Sequence, residues 1–237
     1  MDEENRGMDV SVAIPAYNER GYLNETVRDV RRTLEQQDCS FDIIISEGGS
    51  GDGTQKVAED LEEELPEVEY LRLEERTGKG KAVEKAFRFS ERDFFVFMDA
   101  DGATAADQLP EMLEELQEHD IVIGSRAEDA ERDLGRKLAS KMFNLGVRSL
   151  FFTGFSDHQC GFKGFRTEKV DDLIDSFESE HWFWDTELLV KARKKGLEVG
   201  VLPVEWEEKG DSEVDVFSDG VYFSRKLVEL RMREWMK

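Results

Sequence analysis

Two aspartates, Asp99 and Asp101, follow directly after the apolar run 94–98. Residues two apart on an extended backbone project their side chains to the same side. Neighbouring carboxylates repel each other, and hard oxygen ligands that share a phosphate are the usual site for Mg²⁺ or Mn²⁺. The pair could also be solvated turn residues. Its position after a buried run, with Gly102 following, favours a divalent cation, Mg²⁺ or Mn²⁺, held by Asp99 and Asp101.

Four further polar clusters also begin where an apolar run stops. They are P-A-Y-N-E (15–19), S-E-G-G-S-G-D-G-T (46–54), E-R-T-G-K-G-K-A (75–82) and G-S-R (124–126). In open parallel sheets, ligands bind beyond the carboxyl ends of the strands, so the five clusters predict one catalytic edge. The Gly-rich segment could approach an anion or simply cap a helix with Asp52 or Thr54. Lys79 and Lys81 could meet a diphosphate or be surface lysines, because their spacing is not that of a P-loop.

The elements that must position these clusters alternate between apolar runs and amphipathic segments. The apolar runs predict buried strands at 10–14, 41–45, 68–73, 94–98 and 120–124, and the amphipathic segments predict helices at 22–37, 53–65, 79–90 and 106–118. This alternation favours an α/β fold with a mostly parallel sheet flanked by helices on both faces. The second half predicts helices at 133–152, 167–176, 184–195 and 220–236 and one strand at 198–204. Its Gly- and aromatic-rich stretch, 153–165, carries no strand prediction, and we expect a single domain.

The composition excludes several classes of function. The 237 residues carry a net charge of −23, which repels nucleic-acid phosphates and argues against a nucleic-acid partner. The chain has neither a secretory leader nor an apolar run of about 20 residues, so we expect no signal peptide and no transmembrane helix. The two cysteines fit a reducing compartment, which predicts a cytoplasmic protein. Acidic helix faces suggest a surface hydrated at high salt and a salt-loving source.

Two basic islands interrupt this acidity. Residues 132–152 carry five basic side chains and one acidic one, and residues 221–237 carry five basic and two acidic ones. Apolar residues are interleaved with the charges in both islands. The pattern suits helices that lie on a membrane surface or against an anionic amphiphile, and equally suits core helices with basic outer faces.

The ordered motifs resemble a known family. P-A-Y-N-E, G-S-G-D-G-T, G-K-G-K-A, D-A-D-G, G-S-R, D-H-Q-C-G-F-K-G-F and F-W-D-T-E-L-L occur in the order found in inverting glycosyltransferases of family 2, which have the GT-A fold. D-A-D-G-A-T and the later motifs look most like dolichyl-phosphate β-glucosyltransferases. The resemblance runs from about Val10 to Trp206. It implies a tail at 1–9, a GT-A domain at 10–219 with a nucleotide-sugar half (10–125) and an acceptor half (126–219), and a basic amphipathic helix at 220–237.

Beyond the cation site at Asp99 and Asp101, the resemblance implies the roles of further residues. The donor nucleotide sugar would be bound by Pro15, Tyr17, Glu19, Glu47, Lys79 and Asp99, with Glu47 reading the base. The acceptor phosphate and sugar would be bound by Arg126, Arg136, Ser140, Gln159, Lys163 and Trp184. Asp99, Asp101, Arg126 and Asp185 would carry catalysis. The chain departs from the family in having Glu47–Gly48 for two aspartates, and in having Ala103 where mannosyl relatives place a glutamine.

The resemblance implies transfer of a hexose, glucose from UDP-glucose, onto dolichyl or polyprenyl phosphate at the cytoplasmic face of a membrane, for glycan or glycoprotein assembly. The acceptor phosphate ionises with a pKa near ~6, so no general base is required. Alternatives in the same fold are a GDP-mannose donor or a growing glycan as acceptor. A sugar-1-phosphate nucleotidyltransferase would carry a Gly-rich basic loop after the first strand, which P-A-Y-N-E is not. The intact Asp99 and Asp101 argue against a non-catalytic binding module.

Overall fold

The computed structural model describes residues 7–74, 76–126, 134–179, 181, 183–207, 209, 222 and 225–233, and gives only the backbone of 134–139. Its strands are β1 (Met8–Ala16), β2 (Cys39–Gly48), β3 (Val68–Leu73), β4 (Phe94–Met98), β5 (Ile121–Arg126), β6 (Phe162–Arg166) and β7 (Val199–Val204). Its helices are α1 (Leu23–Leu34), α2 (Thr54–Glu64), α3 (Lys79–Phe89), α4 (Leu109–Glu118), α5 (Leu134–Phe151), α6 (Thr167–Ile174) and α7 (Trp184–Lys195). Residues 225–233 form a terminal helix.

The seven strands form one sheet in the order β3-β2-β1-β4-β6-β5-β7. β6 runs antiparallel to both of its neighbours, β4 and β5, while the pairs β1–β2, β1–β4, β2–β3 and β5–β7 are parallel. The predicted mostly parallel α/β sheet is therefore confirmed. Because β1 to β5 point the same way, the polar segments that follow them emerge at one edge, which we call the carboxyl edge.

β6 lies where the sequence predicted no strand. Its five residues, F-K-G-F-R, do not alternate between apolar and polar, and glycine weakens a strand pattern. Gly164 is needed there because a Cβ at that position would lie 2.6 Å from the Leu116 side chain of α4. The insertion of β6 between β4 and β5 joins the later part of the chain to the same sheet.

Helices cover both faces of the sheet, and alternate strand residues enter two separate apolar clusters. Val96 of β4 packs on the side of α1, α2 and α4, whereas Phe95 and Phe97 pack on the side of α3, α6 and α7. Such two-sided burial explains the nearly continuous apolar runs of the strands. A third cluster joins α5, α7 and the terminal helix. Among the described residues, no helix is both long and apolar enough to span a bilayer.

Candidate active site

Asp99 and Asp101 lie in the turn that follows β4, at the carboxyl edge. Asp101 Oδ1 accepts a hydrogen bond of 2.9 Å from the backbone N–H of Ala103. Burial and the neighbouring charge of Asp99 raise the pKa of Asp101. Gly161 allows this arrangement, because a Cβ there would lie 1.8 Å from Asp99 Oδ2. The sequence predicted the pair but not the role of Gly161.

These carboxylates fit a divalent cation by the chemistry of their donors. They supply hard oxygen ligands, and their repulsion is what a cation would relieve. Within the described parts of the chain, no group of three or more His, Cys, Asp and Glu side chains is arranged to hold a metal. A cation here would therefore need further oxygen ligands from substrate phosphate or water, as Mg²⁺ commonly does.

A chain of charged side chains lies beneath the pair. Lys79, at the start of α3, forms an ion pair with Asp99. Burial lowers the pKa of Lys79, but the negative charges of Asp99 and Asp185 outweigh this effect and leave it raised. Lys163 Nζ lies 2.7 Å from Asp185 Oδ1. The ammonium groups of Lys79 and Lys163 each lie 5.6 Å from the ring centre of Phe97, a residue of β4, so both lysines lie close to the same phenyl ring.

Two residues expected on the acceptor side lie in the interior instead. Lys163 is fully buried on β6 and also donates a hydrogen bond to the carbonyl of Cys160. Trp184 is buried at the start of α7, where its ring packs edge-on against Phe97 and Phe177. Lys163 and Trp184 therefore lie under the candidate active site and not at its solvent-exposed surface. Asp185 is likewise buried, beside Lys163.

Arg126, at the end of β5, is held by a residue that sequence reasoning missed. Its Nε and one terminal nitrogen lie 2.7 and 2.9 Å from the two carboxylate oxygens of Asp157. Burial raises the pKa of Asp157, but the hydrogen bonds and charge of Arg126 overcome this and lower it to about 2. The guanidinium carbon lies 5.5 Å from the ring centre of Trp206. Asp157 is the first residue of the motif D-H-Q-C-G-F-K-G-F. No local sequence signal pairs it with Arg126, which lies 31 positions earlier.

A buried histidine ties α5 to the segment that carries Asp157. His158 Nδ1 lies 2.6 Å from Asn144 Oδ1, and His158 Nε2 lies 2.8 Å from Thr153 Oγ1. Burial and the nearby charge of Lys163 lower the pKa of His158 to about 4, so the ring is neutral at pH 7. Nδ1–H therefore donates to Asn144, and Nε2 accepts from the threonine hydroxyl. Through Asp157, this arrangement supports the orientation of Arg126.

The other predicted acceptor residues lie near the same contacts. Ser140 Oγ is 3.4 Å from the Asn144 amide nitrogen, one turn along α5. The backbone N–H of Gln159 donates to Asp157 at 3.1 Å. Arg136 lies on α5, but its side chain is outside the described residues. The roles of Ser140, Gln159 and Arg136 in binding a phosphate stay predictions.

On the donor side, the segments after β1 and β2 are bound to each other. Asn18 N–H donates to Ser50 Oγ at 3.0 Å, and Glu19 N–H donates to Thr54 Oγ1 at 2.8 Å. Asp52 accepts hydrogen bonds from the backbone N–H groups of Thr54 and Arg20. Of the two possibilities that the sequence left open for the Gly-rich turn, these contacts favour the structural one. The turn fixes the P-A-Y-N-E segment, and Asp52 accepts the backbone N–H of Thr54, the first residue of α2.

Tyr17 and Glu47 complete this side of the edge. The Arg76 guanidinium lies 4.2 Å from the ring centre of Tyr17, and Pro15 is half-buried at the end of β1. Glu47 is buried, with one oxygen 2.8 Å from the Ser50 nitrogen and the other 2.9 Å from the Tyr70 hydroxyl. Both carboxylate oxygens of Glu47 thus already accept hydrogen bonds within the protein. Its predicted contact with a base stays a prediction.

Lys209 is a further cation beside the carboxylate pair. Its Nζ would lie 3.4 Å from a Cβ placed on Gly102, and its charge acts to lower the pKa of Asp101. Its neighbours in the sequence are mostly acidic. No motif marks it out, so only the folded chain brings it to the carboxyl edge.

Comparison with known proteins agrees with this architecture. The "Glycosyl transferase family 2" model matches residues 11–174. Glycosyltransferase AglD of Haloferax volcanii is 39% identical over 90% of this chain and 35% of its own length, so this chain spans about a third of that relative. Dolichyl-phosphate beta-glucosyltransferase of Dictyostelium discoideum is 30% identical over 94% of this chain and 74% of its own length.

Solved structures share the fold at low identity. Mannosyl-3-phosphoglycerate synthase from Rubrobacter xylanophilus superimposes with a TM-score of 0.73 at 19% identity, covering 96% of this chain and 75% of that one. Glucosyl-3-phosphoglycerate synthase from Mycobacterium tuberculosis, in complex with Mn²⁺, UDP and glucosyl-3-phosphoglycerate, gives 0.70 at 17%, covering 94% and 78%. The expected GT-A fold is confirmed. With its sheet, its carboxyl edge and these relatives taken together, the chain belongs to glycosyl transferase family 2.

Proposed function

We propose that this chain transfers glucose from UDP-glucose to the phosphate of a dolichyl or polyprenyl lipid, for glycan or glycoprotein assembly. The observation that carries the proposal is the meeting of an acidic pair and an oriented arginine at one edge. Asp99 is close enough to Arg126 for its charge to raise the pKa of the guanidinium. A site that combines a metal-binding pair with a fixed cation suits two phosphate-bearing substrates.

The donor would lie on the side of Asp99 and Asp101. A divalent cation, Mg²⁺ or Mn²⁺, held by these carboxylates would neutralise the charge that develops on the leaving diphosphate. The Mn²⁺ and UDP bound by the mycobacterial structure support this choice. Tyr17, in the fixed segment after β1, and Lys79, at the start of α3, would line the nucleotide pocket together with Pro15, Glu19 and Glu47.

The acceptor would lie on the side of Arg126. Arginine binds phosphate oxygens with a defined geometry, and the carboxylate of Asp157 fixes the plane of this guanidinium. Arg136, Ser140 and Gln159 would add contacts to the same phosphate. An attack from this side, opposite the leaving diphosphate, inverts the anomeric carbon in a single displacement.

No general base is needed in this reaction. A phosphate monoester has a second pKa near ~6, so it is a competent nucleophile at neutral pH. Asp185, predicted as catalytic, is buried and paired with Lys163, which suits a residue that positions others. We therefore assign Asp185 and Lys163 to supporting the floor of the site.

The prenyl tail of the acceptor lies in a lipid bilayer. The protein would therefore work at a membrane surface, on the cytoplasmic face. Dolichyl-phosphate beta-glucosyltransferases among the relatives support the lipid acceptor. The domain limits at 10–219, its two halves and the C-terminal helix at 220–237 stay predictions.

The test is a transfer assay with purified chain, labelled UDP-glucose, Mn²⁺ and polyprenyl phosphate. Label in the organic phase is expected, and chelation of Mn²⁺ or Asp101→Asn should remove it. The exposed Asp107 provides a matched control, because Asp107→Asn removes one carboxylate nearby without touching the pair. Label that appears only with GDP-mannose, or only on 3-phosphoglycerate, would contradict the proposal and name the other substrate.

A further inference from the structure

α5 presents two different apolar faces. Phe143, Val147 and Phe151 form the inner face and belong to the cluster that includes Leu227 and Leu230 of the terminal helix. This face holds three of the seven apolar residues in 140–152, the part of the first basic island whose side chains the structure describes. The expectation of core helices with basic outer faces is therefore correct for these residues, but it leaves the outer face unexplained.

The outer face of α5 and the residue that follows it is apolar and basic. Met142, Leu145 and Phe152 are 66%, 63% and 77% exposed. They share this face with exposed Lys141 and Arg148, at the spacing that puts residues on one side of a helix. The 18 residues Leu134–Phe151 contain no aspartate or glutamate. Ordinary surface helices of this acidic chain, such as α2, expose glutamates instead.

Phe152 has a backbone conformation that bulky residues rarely adopt. Its φ is +54°, in the left-handed region. That conformation costs roughly 1 kcal/mol or more for a bulky residue. Phe152 closes the end of α5, where its N–H donates to the Arg148 carbonyl, and its phenyl ring is 77% exposed.

The terminal helix extends the same kind of surface. Val228 and Met232, one turn apart, are 56% and 57% exposed, and Arg225 and Arg231 are exposed on the same helix. A Cβ on Gly146 of α5 would lie 4.0 Å from Leu227, so the two helices are neighbours. We call the exposed residues Lys141, Met142, Leu145, Arg148, Phe152, Arg225, Val228, Arg231 and Met232 the basic-apolar surface.

We propose that the basic-apolar surface docks onto a lipid bilayer that contains anionic lipids. Apolar side chains that project from a basic helix face enter the boundary between headgroups and acyl chains, while arginine and lysine bind the headgroup phosphates. On a chain with a net charge of −23, this surface exposes four cations, of which Arg225 is paired with Glu229, and is complementary in charge to an anionic bilayer. The proposal adds a membrane-binding surface to the proposed function. It rests on that function only for the idea that the acceptor lies in a membrane.

The placement of α5 links this surface to the candidate active site. Asn144, on another side of the same helix, binds the ring and the backbone N–H of His158. His158 follows Asp157, the partner of Arg126. A bilayer held against the outer face of α5 would therefore lie one helix diameter, about 10 Å, from the segment that orients the acceptor-binding arginine.

The test is co-sedimentation of the full chain with vesicles, without donor or acceptor, at a KCl concentration at which circular dichroism shows each protein folded. Vesicles of phosphatidylcholine alone are compared with vesicles that also contain phosphatidylglycerol. Leu145→Asp/Phe152→Asp removes the apolar contacts, and Arg231→Glu reverses one charge. Phe89→Asp is the matched control, because Phe89 is 47% exposed but lies on α3, outside the surface.

Binding is expected with the anionic vesicles and should fall about tenfold or more in Leu145→Asp/Phe152→Asp. Arg231→Glu should weaken it about fivefold, and Phe89→Asp should leave it unchanged. Equal binding to both vesicle types, no binding, or equal loss in the Phe89 control would overturn the proposal. If the parent chain instead self-associates through this face, so that the double variant changes the sedimentation coefficient and not vesicle binding, the surface is a protein interface.

These outcomes are separate from those for the proposed function. Vesicle binding is measured without turnover, so a chain that docks but transfers no glucose contradicts only the function. Conversely, Leu145→Asp/Phe152→Asp should keep its activity on a short, water-soluble prenyl phosphate, because neither residue contacts the candidate active site. Loss of that activity would show that the face supports the site and does not dock.

Discussion

Asp157→Asn should weaken binding of the lipid phosphate far more than binding of the nucleotide sugar. Asp157 holds Arg126 through two hydrogen bonds of 2.7 and 2.9 Å, with the two side chains only 8% and 13% exposed. Asparagine has the same shape but offers one acceptor oxygen and no charge. The guanidinium would then lose both its bidentate geometry and its counter-charge, while Asp99 and Asp101 stay in place.

The magnitude follows from the pKa of the carboxyl group. Burial raises the pKa of Asp157, but Arg126 outweighs this effect and the pKa falls from 3.8 to about 2, a shift that corresponds to roughly 2 kcal/mol. Removing one partner of a buried ion pair costs about 3–5 kcal/mol when the other charge is left uncompensated. The isosteric change keeps part of the hydrogen bonding, so we expect a loss of about 2–3 kcal/mol in the free energy of unfolding.

The assay separates this loss of stability from the effect on the substrates. In steady-state kinetics, the KM for polyprenyl phosphate should rise about tenfold or more, with little change in the KM for UDP-glucose. Asp157→Glu, which restores the charge, should recover part of the effect. Asp120→Asn is the matched control, because Asp120 accepts a backbone hydrogen bond at the opposite end of β5. Equal increases in both KM values would refute the idea that Asp157 acts through Arg126.

Three further outcomes are expected. Burial lowers the pKa of His158 from 6.5 to about 4, so the unfolded chain takes up a proton at a higher pH than the folded chain does. About 3 kcal/mol of the free energy of unfolding should therefore be lost as the pH falls from about 6.5 to about 4. Urea titrations should show this pH dependence, and it should be weaker in His158→Gln. Gly161→Ala should abolish transfer and keep the circular dichroism spectrum, since its methyl group would meet Asp99; an active variant would show that the close approach is not needed. The urea midpoint should rise with KCl concentration, because the charge of −23 destabilises the compact chain through self-repulsion; an unchanged midpoint up to multimolar salt would contradict the expected salt-loving source.

Local spacing was enough to predict the carboxylate pair and the edge on which it lies. Asp99 and Asp101 are two residues apart, and the position of each polar cluster depends only on where its own strand stops. The apolar runs of β1 to β5 are long enough to identify without knowledge of the tertiary structure. The fold class and the carboxyl edge could therefore be inferred from the sequence alone.

Contacts between distant residues could not be inferred in this way. Arg126 meets Asp157 only because β6 is inserted between β4 and β5, and β6 is short, contains glycine and lacks alternation. The same insertion turns Lys163 inward to Asp185. In α5, apolar residues occur on both sides of the helix, so periodicity could not separate the buried Val147 from the exposed Leu145.

The distribution of charge is compatible with the two anionic substrates of the proposed reaction, although the chain as a whole is acidic. At low ionic strength its net charge of −23 repels a nucleotide sugar and a lipid phosphate over about 10 Å or more. Multimolar salt shortens that range to about 3 Å, which removes the long-range repulsion but leaves contact pairs such as Arg126–Asp157, at 2.7 Å, largely intact. Because the cations of the site are partly buried and held by carboxylates, their geometry does not depend on the salt that surrounds the surface. An acidic surface and an anion-binding edge are therefore compatible at high salt, where the surface no longer opposes the site.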